Sequence, residues 1–294
     1  MIARSLVAAV ASVTAVAGPT VVAKIPVSAT AQPCAAQAGG RYVWVSEYGQ
    51  PYVLRIDPRT NKVVGKSGVG LGACALSPGA GSMWVEDTNS ATVSRVSLST
   101  GRRTAAIHVG ISPQDITFAY GTAWVSTQAT GDLERIDPAR NKVVKRWRFS
   151  GATGVVAAFG SVWVTGSNGV LRIDPATNKV LATVPTEAAA VWTAASDDAV
   201  WVTGFAGLVR IDPQTNSVVK TIPLGGNVLG DPDVIGGDVW VPEPRTNMIA
   251  VVEPSTNAVV RTIHAGRGPF VLNQIGGEAW VPSWKGRDIW RIKP

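Results

Sequence analysis

The chain is poor in the residues that most enzyme chemistry relies on. Its 294 residues include only two histidines and two cysteines. No His-x-His or Cys-x-x-Cys pair occurs, which removes the usual zinc signatures. There is no G-x-S-x-G nucleophile elbow, and no P-loop or dinucleotide fingerprint leads into a helix. Charged residues make up only 16% of the chain and hydrophobic ones 46%, which excludes a disordered polyelectrolyte. After the N-terminal region no run of 18 strongly apolar residues appears, so nothing there is suited to spanning a membrane as a helix. Phenylalanine and tyrosine are scarce, at five and four, yet there are 11 tryptophans. Length alone, at about 150 residues per domain, suggests two domains and permits one.

The first residues read as a secretory signal. Arg4 precedes a small apolar run from Leu6 to Val16, and Ala15-Val16-Ala17 offers an A-x-A cleavage site before Gly18. The expected organisation is therefore a signal peptide over 1–17, possessing cleavage at Ala17/Gly18, and one domain over 18–294. An uncleaved anchor is the alternative. Either places the folded part outside the cytoplasm, secreted or periplasmic.

The tryptophans are periodic. Trp44, Trp84, Trp124, Trp163, Trp201, Trp240 and Trp280 each sit in an apolar-Trp-Val triplet, at spacings of 40, 40, 39, 38, 39 and 40. A second motif follows most of them: RIDPRTNKVV from Arg55, RIDPARNKVV from Arg135, RIDPATNKVL from Arg172 and RIDPQTNSVV from Arg210. Degenerate copies start at Arg95 and Val251, and a truncated one at Arg291. Each unit reads as four short strands. Asp57, Asp137, Asp174 and Asp212 supply turn acceptors, Pro58 presets φ, and Asn61 tolerates a left-handed conformation. Four-stranded units of this length predict an all-β, seven-bladed β-propeller of antiparallel blades. The seventh unit lacks an outer strand. Residues 20–27 resemble the outer strand around Val218–Leu224, so they are expected to complete the C-terminal blade and close the ring, which covers a free sheet edge. A closed ring makes a monomer the expected state.

Cys34 and Cys74 stand ten residues before Trp44 and Trp84, hence at equivalent points on neighbouring inner strands. A disulfide is the leading reading; two buried thiols or a metal or redox role remain open. The repeated arginines are expected to be structural, pairing with acids such as Asp57 or covering apolar surface. The net charge of +7 raises a nucleic-acid or polyanion reading, confined to the rim patch Arg140, Lys142, Lys145, Arg146 and Arg148 around Trp147. His108 and His264 end outer strands.

Propeller sites form where loops lead into the inner strands and leave the Trp strands. The first set supplies His108, Asp231, Asp233, His264 and Arg267, with Gln114 and Asp115 close behind; the second supplies Glu47, Tyr48, Asp87, Glu243, Arg245, Trp284 and Lys285. Ligand-binding candidates are Glu47, Asp87, Asp115, Asp231, Asp233, Glu243, Arg245, Arg267 and Trp284. Glu47, Asp87 and Glu243 share one register, three residues past the Trp, and could converge on Ca²⁺ or Mg²⁺ through oxygen ligands; each could equally be a solvated loop acid.

The W-V…R-I-D-P-x-T-N-K-V-V unit resembles the YVTN/YncE-like bacterial propeller repeat over nearly all the chain after residue 17. That resemblance implies the propeller and no particular activity. A more distant similarity is to the streptogramin (virginiamycin B) lyases, seven-bladed propellers that open a cyclic depsipeptide with a divalent metal. Glu47 and Glu243 match that family's Glu register. Its catalytic His register fails, since Cys34, Cys74, Gln114, Thr153, Val191, Gly230 and Phe270 hold those positions. A gluconolactonase-like site would use Asp115, Asp233 and Asn273. The expected function is an exported, rigid binding or scaffold platform for a peptide, glycan, cell-wall component or partner protein at the channel mouth. The alternative is a metal-assisted, streptogramin-lyase-like or lactonase-like enzyme acting on cyclic esters.

Overall fold

The computed structural model describes residues 18–28, 30–225 and 229–294. The expected signal peptide lies outside the described residues. The chain is all-β: seven four-stranded antiparallel sheets are arranged as the blades of a ring. Blade 1 shows the pattern, with inner strand Pro33–Gly39, Trp strand Tyr42–Glu47, Arg strand Tyr52–Asp57 and outer strand Lys62–Gly68. Each Trp pairs with the Arg position of its neighbour, as in Trp44↔Arg55 and Trp163↔Arg172.

The seven triplet tryptophans are all but fully buried and fill the spaces between blades. Apolar residues flank them on both strand faces because each sheet is sandwiched between two others. Four of the indole N–H groups, on Trp44, Trp84, Trp124 and Trp163, donate to the carbonyl five residues upstream, so the repeat's largest side chain also pins the hairpin ahead of it.

The turns follow their chemistry. Asp57, Asp137, Asp174 and Asp212 each accept the backbone N–H two residues on, at 2.7–2.9 Å. Asn61, Asn141, Asn178, Asn216 and Asn257 all have positive φ, from 51° to 59°.

The repeated arginines are structural, as expected, but Asp57 is not their partner. Asp57 is paired with Arg59, not Arg55. Instead the arginines join blades. Nη1 of Arg95, Arg135, Arg172, Arg210 and Arg291 donates to the Pro carbonyl and the Asn Oδ1 of the next blade's Asp-Pro-x-x-Asn turn, Glu-Pro-x-x-Asn in blade 6; the Pro distances are 2.5–2.8 Å. Each guanidinium also lies 4.7–5.3 Å from its own blade's indole centroid. A planar, permanently charged fork meets two carbonyl-type acceptors and a π face at once, which Lys cannot do. Arg210 and Arg291 add acids, Asp198 and Glu278.

The N-terminal strand closes the ring. Thr20–Pro26 pairs antiparallel with Asp288–Lys293, and Val27 continues the ladder through a bond to the Arg287 carbonyl. Ile25 is 2% exposed and packs among Val43, Ile56 and Ile289.

Every outer strand carries a register shift beside the Arg position. The extra residues include Val22, Val64, Val144, Leu181, Val219 and Val260, all exposed. The shift explains the consecutive Val-Val pairs: the strict alternation of a flat strand is broken there. A bulge twists the edge and makes it a poor template for pairing with another chain.

Candidate functional site

Two features occupy the axis of the ring. The first is a cavity of about 280 Å³, lined by residues in or just ahead of the inner strands of all seven blades. Among the described residues its ionisable lining groups are Asp115, Asp231 and Asp233, with no Lys, Arg or His. Asp115 and Asp231 hold the same position ahead of their Trp, in blades three steps apart around the ring.

Asp115 is tied on both oxygens. Oδ1 accepts the N–H of Ile116, and Oδ2 that of Val155 in the next blade, each at 2.7 Å. Asp233 repeats the device with Val234 and Gln274. Asp231 is different: its Oδ1 is sequestered from solvent with no protein partner. Burial pushes the Asp115 carboxyl up to about 6. Burial, then the negative charges of Asp115 and Asp233, push Asp231 well above the ordinary carboxylate range. Burial also raises Asp233.

The second feature is an aromatic cluster at the channel mouth, on the side of the loops that leave the Trp strands. Tyr48 and Trp284 approach with ring centroids at 4.8 Å, Phe270 and Trp284 at 6.4 Å, and Trp192 and Phe270 edge-to-face at 5.5 Å. Beneath it Cys34 and Cys74 form a disulfide with Cα atoms 5.1 Å apart, as their equivalent positions suggest. Ala35 and Val271 belong both to this cluster and to the cavity wall, so the cluster lies directly against the cavity. Trp284, Phe270, Pro244, Gly268 and Lys285 surround an adjoining apolar hollow of about 190 Å³. Leu71, Ile111 and Phe205, 53%, 66% and 72% exposed, project from loops on the same face.

Glu47, Asp87 and Glu243 are neither solvated nor convergent. Each is buried and bonded within its own blade. Glu47 accepts the Gln32 N–H at 3.0 Å, Asp87 accepts the hydroxyls of Thr92 and Ser94, and Glu243 accepts that of Thr246. Burial raises Glu47 to about 7 and Asp87 to about 6. The shared register serves loop closure, and among the described residues no three His, Cys, Asp or Glu side chains gather as a metal-holding group. Arg245 and Arg267 are exposed on the mouth face. Asp115, Asp233 and Asn273 do share the cavity. In the rim patch, Arg146, Arg148 and Arg140 face Glu134, Asp132 and Asp137, so much of its charge is answered locally. Sequence reasoning missed the roles of Trp192 and Phe270. Phe270 was marked in principle, since it stands ten residues before its Trp, as Cys34 and Cys74 do.

Fold and axis define a seven-bladed β-propeller with an acidic channel and an aromatic mouth. Residues 60–196 match a family model described as a repeat of unknown function (DUF6923). Among solved structures the chain is similar to hydrazine synthase of Kuenenia stuttgartiensis, with a TM-score of 0.77 and 16% identity over 97% of this chain and 99% of that one. It is also similar to BamB of Moraxella catarrhalis, with a TM-score of 0.67 and 14% identity over 95% and 98%. At these identities the likeness is one of fold. No curated protein sequence matches the chain. Among the described residues no helix is long and apolar enough to cross a membrane.

Proposed function

We propose that this chain is an exported binding platform that holds a peptide or glycan on its channel-mouth face. The observation that carries the reading is the half-buried Trp284, set between Tyr48 and Phe270 at the edge of an apolar hollow. An aromatic surface with a polar rim, here Arg245, Arg267 and Lys285, suits stacking against a sugar face or an apolar side chain while the rim fixes orientation. The disulfide supports an oxidising, extracytoplasmic setting.

The test is intrinsic tryptophan fluorescence of the folded protein, titrated with soluble peptidoglycan fragments and with short aromatic peptides. Saturable binding that Trp284→Ala weakens by about tenfold or more, with the melting temperature unchanged, is the expected result. Equal binding by Trp284→Ala would place the ligand elsewhere. Metal-dependent turnover of cyclic esters by the same preparation would overturn the platform reading in favour of an enzyme.

A further inference from the structure

The channel below the mouth has chemistry of its own. In a chain with a net charge of +7, the axial cavity presents three carboxyl groups and no basic side chain. Two of these carboxyls are accounted for by the fold, because Asp115 and Asp233 each accept two backbone N–H groups and so link neighbouring blades. Asp231 is not. Its sequestered Oδ1 has no donor, and a buried unsatisfied carboxyl costs free energy that nothing in the protein offsets. Asp115 faces it at the same register.

The occupant that fits is cationic and slender. A bare metal ion is disfavoured, because no three carboxylates gather around one point among the described residues. The negative charge is instead spread along the axis. Asp231, bridged to Val271, and Asp233, the first residue of the strand Asp233–Ile235, lie two residues apart, at most about 7 Å along the chain. An extended chain of about five or six single bonds, each ~1.5 Å, spans that distance. Gln37, Ser77, Thr117 and Asn273 add side-chain oxygens to the cavity wall, acceptors for the remaining N–H donors of an ammonium group.

We propose that the central channel is a binding site for a linear aliphatic diamine or polyamine, with one ammonium held between Asp231 and Asp115 and a second beside Asp233. The site is separate from the aromatic mouth, and it stands or falls independently of the ligand proposed there. Binding carries a proton balance. A carboxyl of the Asp231–Asp115 pair that is protonated in the empty channel gives its proton to solvent as the ammonium arrives, leaving a carboxylate–ammonium pair. Asp115, Asp231 and Asp233 are the ionisable groups lining the cavity, and burial raises all three, so affinity rises with pH as they ionise.

The experiment is isothermal titration of the intact, disulfide-bonded protein with cadaverine and with spermidine, in two buffers of different ionisation enthalpy. The neutral isostere 1,5-pentanediol and calcium chloride are titrated in parallel. One-to-one binding of the amines with proton release is expected, with no heat from the diol. Asp231→Asn is expected to weaken the amines by about tenfold or more, and Trp284→Ala to leave them unchanged. The wild-type comparison of cadaverine with the diol needs no variant, so the proposal remains testable if Asp231→Asn does not fold. No saturable amine heat, equal affinity for the diol, undiminished affinity in a folded Asp231→Asn protein, or Asp231-dependent binding of calcium in place of the amines would each overturn it.

Discussion

At the scale of single residues, the carboxyls buried in the ring bind their protons more tightly than they would in an unfolded chain. Glu47 is raised to about 7, and Asp87 and Asp115 to about 6, in each case chiefly by burial. The sign follows directly. Between about pH 4 and 7 the folded state holds more protons than the unfolded state, so stability is greatest at the acidic end of that window and falls as pH rises through the folded values. Asp57, Asp174 and Asp212 are lowered by hydrogen bonds at the turns; their stabilisation is present above the unfolded value and is lost only at more acidic pH. Melting temperature is therefore expected to decline from pH 5 to pH 8. Glu47→Gln, which keeps an acceptor for the Gln32 N–H, should flatten the decline. A melting temperature that stays level or rises across the same range would show that burial does not raise these carboxyls.

At the scale of elements, the arginine staple accounts for the repeat and for its exceptions. Each staple needs an acceptor turn in the next blade. Blade 2 turns through Leu98 and Gly101 in place of Pro and Asn, and Arg55, which faces it, has a buried Nε with no partner. Blade 7 has no such turn, because its outer strand comes from the other end of the chain, and in blade 6 the Arg position is Val251. Arg172→Ala should thus cost about 2–3 kcal/mol in chemical denaturation, since it strips charged hydrogen bonds to Pro213, Asn216 and Ser161. Arg55→Ala should cost less than about 1 kcal/mol. Gly101→Asn should stabilise by about 1 kcal/mol. Its backbone φ of 71° suits Asn, and the atoms a Cβ would meet are the Ser67 hydroxyl and the movable tip of Arg55, the donor the new amide would accept from. Equal losses for Arg172→Ala and Arg55→Ala would show that the stapling bonds contribute little.

At the scale of the whole molecule, one strand holds the ring shut and one covalent bond ties blade 1 to blade 2. Ile25 is the buried anchor of the closing strand, and Ile25→Ala should destabilise by about 3 kcal/mol. The Cys34–Cys74 bridge spans a sequence separation of 40, for which the chain-entropy model gives roughly 4 kcal/mol. The double variant Cys34→Ala/Cys74→Ala should lower the melting temperature accordingly and loosen the Tyr48–Trp284 contact above the bridge. Near-ultraviolet circular dichroism reads the second effect, and an unchanged aromatic signal would show that the mouth is organised without the disulfide.

The periodic Trp triplets, the Asp-Pro-x-x-Asn turns and the match between residues 20–27 and an outer strand were enough to specify seven blades and their closure. Those features are local and repeated, and a repeat reports its own neighbours. The equivalent positions of Cys34 and Cys74 carried the disulfide for the same reason. What the sequence could not decide was direction. Glu47, Asp87 and Glu243 share a register that promised convergence on the mouth, yet each side chain turns back into its own blade to satisfy a nearby N–H or hydroxyl. The arginines are structural, as their repetition suggested, but their shared partner is the turn of the next blade, which no local pattern indicates. Trp192 and Phe270 meet over the channel although no spacing links them. Only closure of the ring brings Asp115 and Asp231 into one cavity from blades three steps apart, and only the tally of backbone donors around the axis leaves Asp231 without a partner.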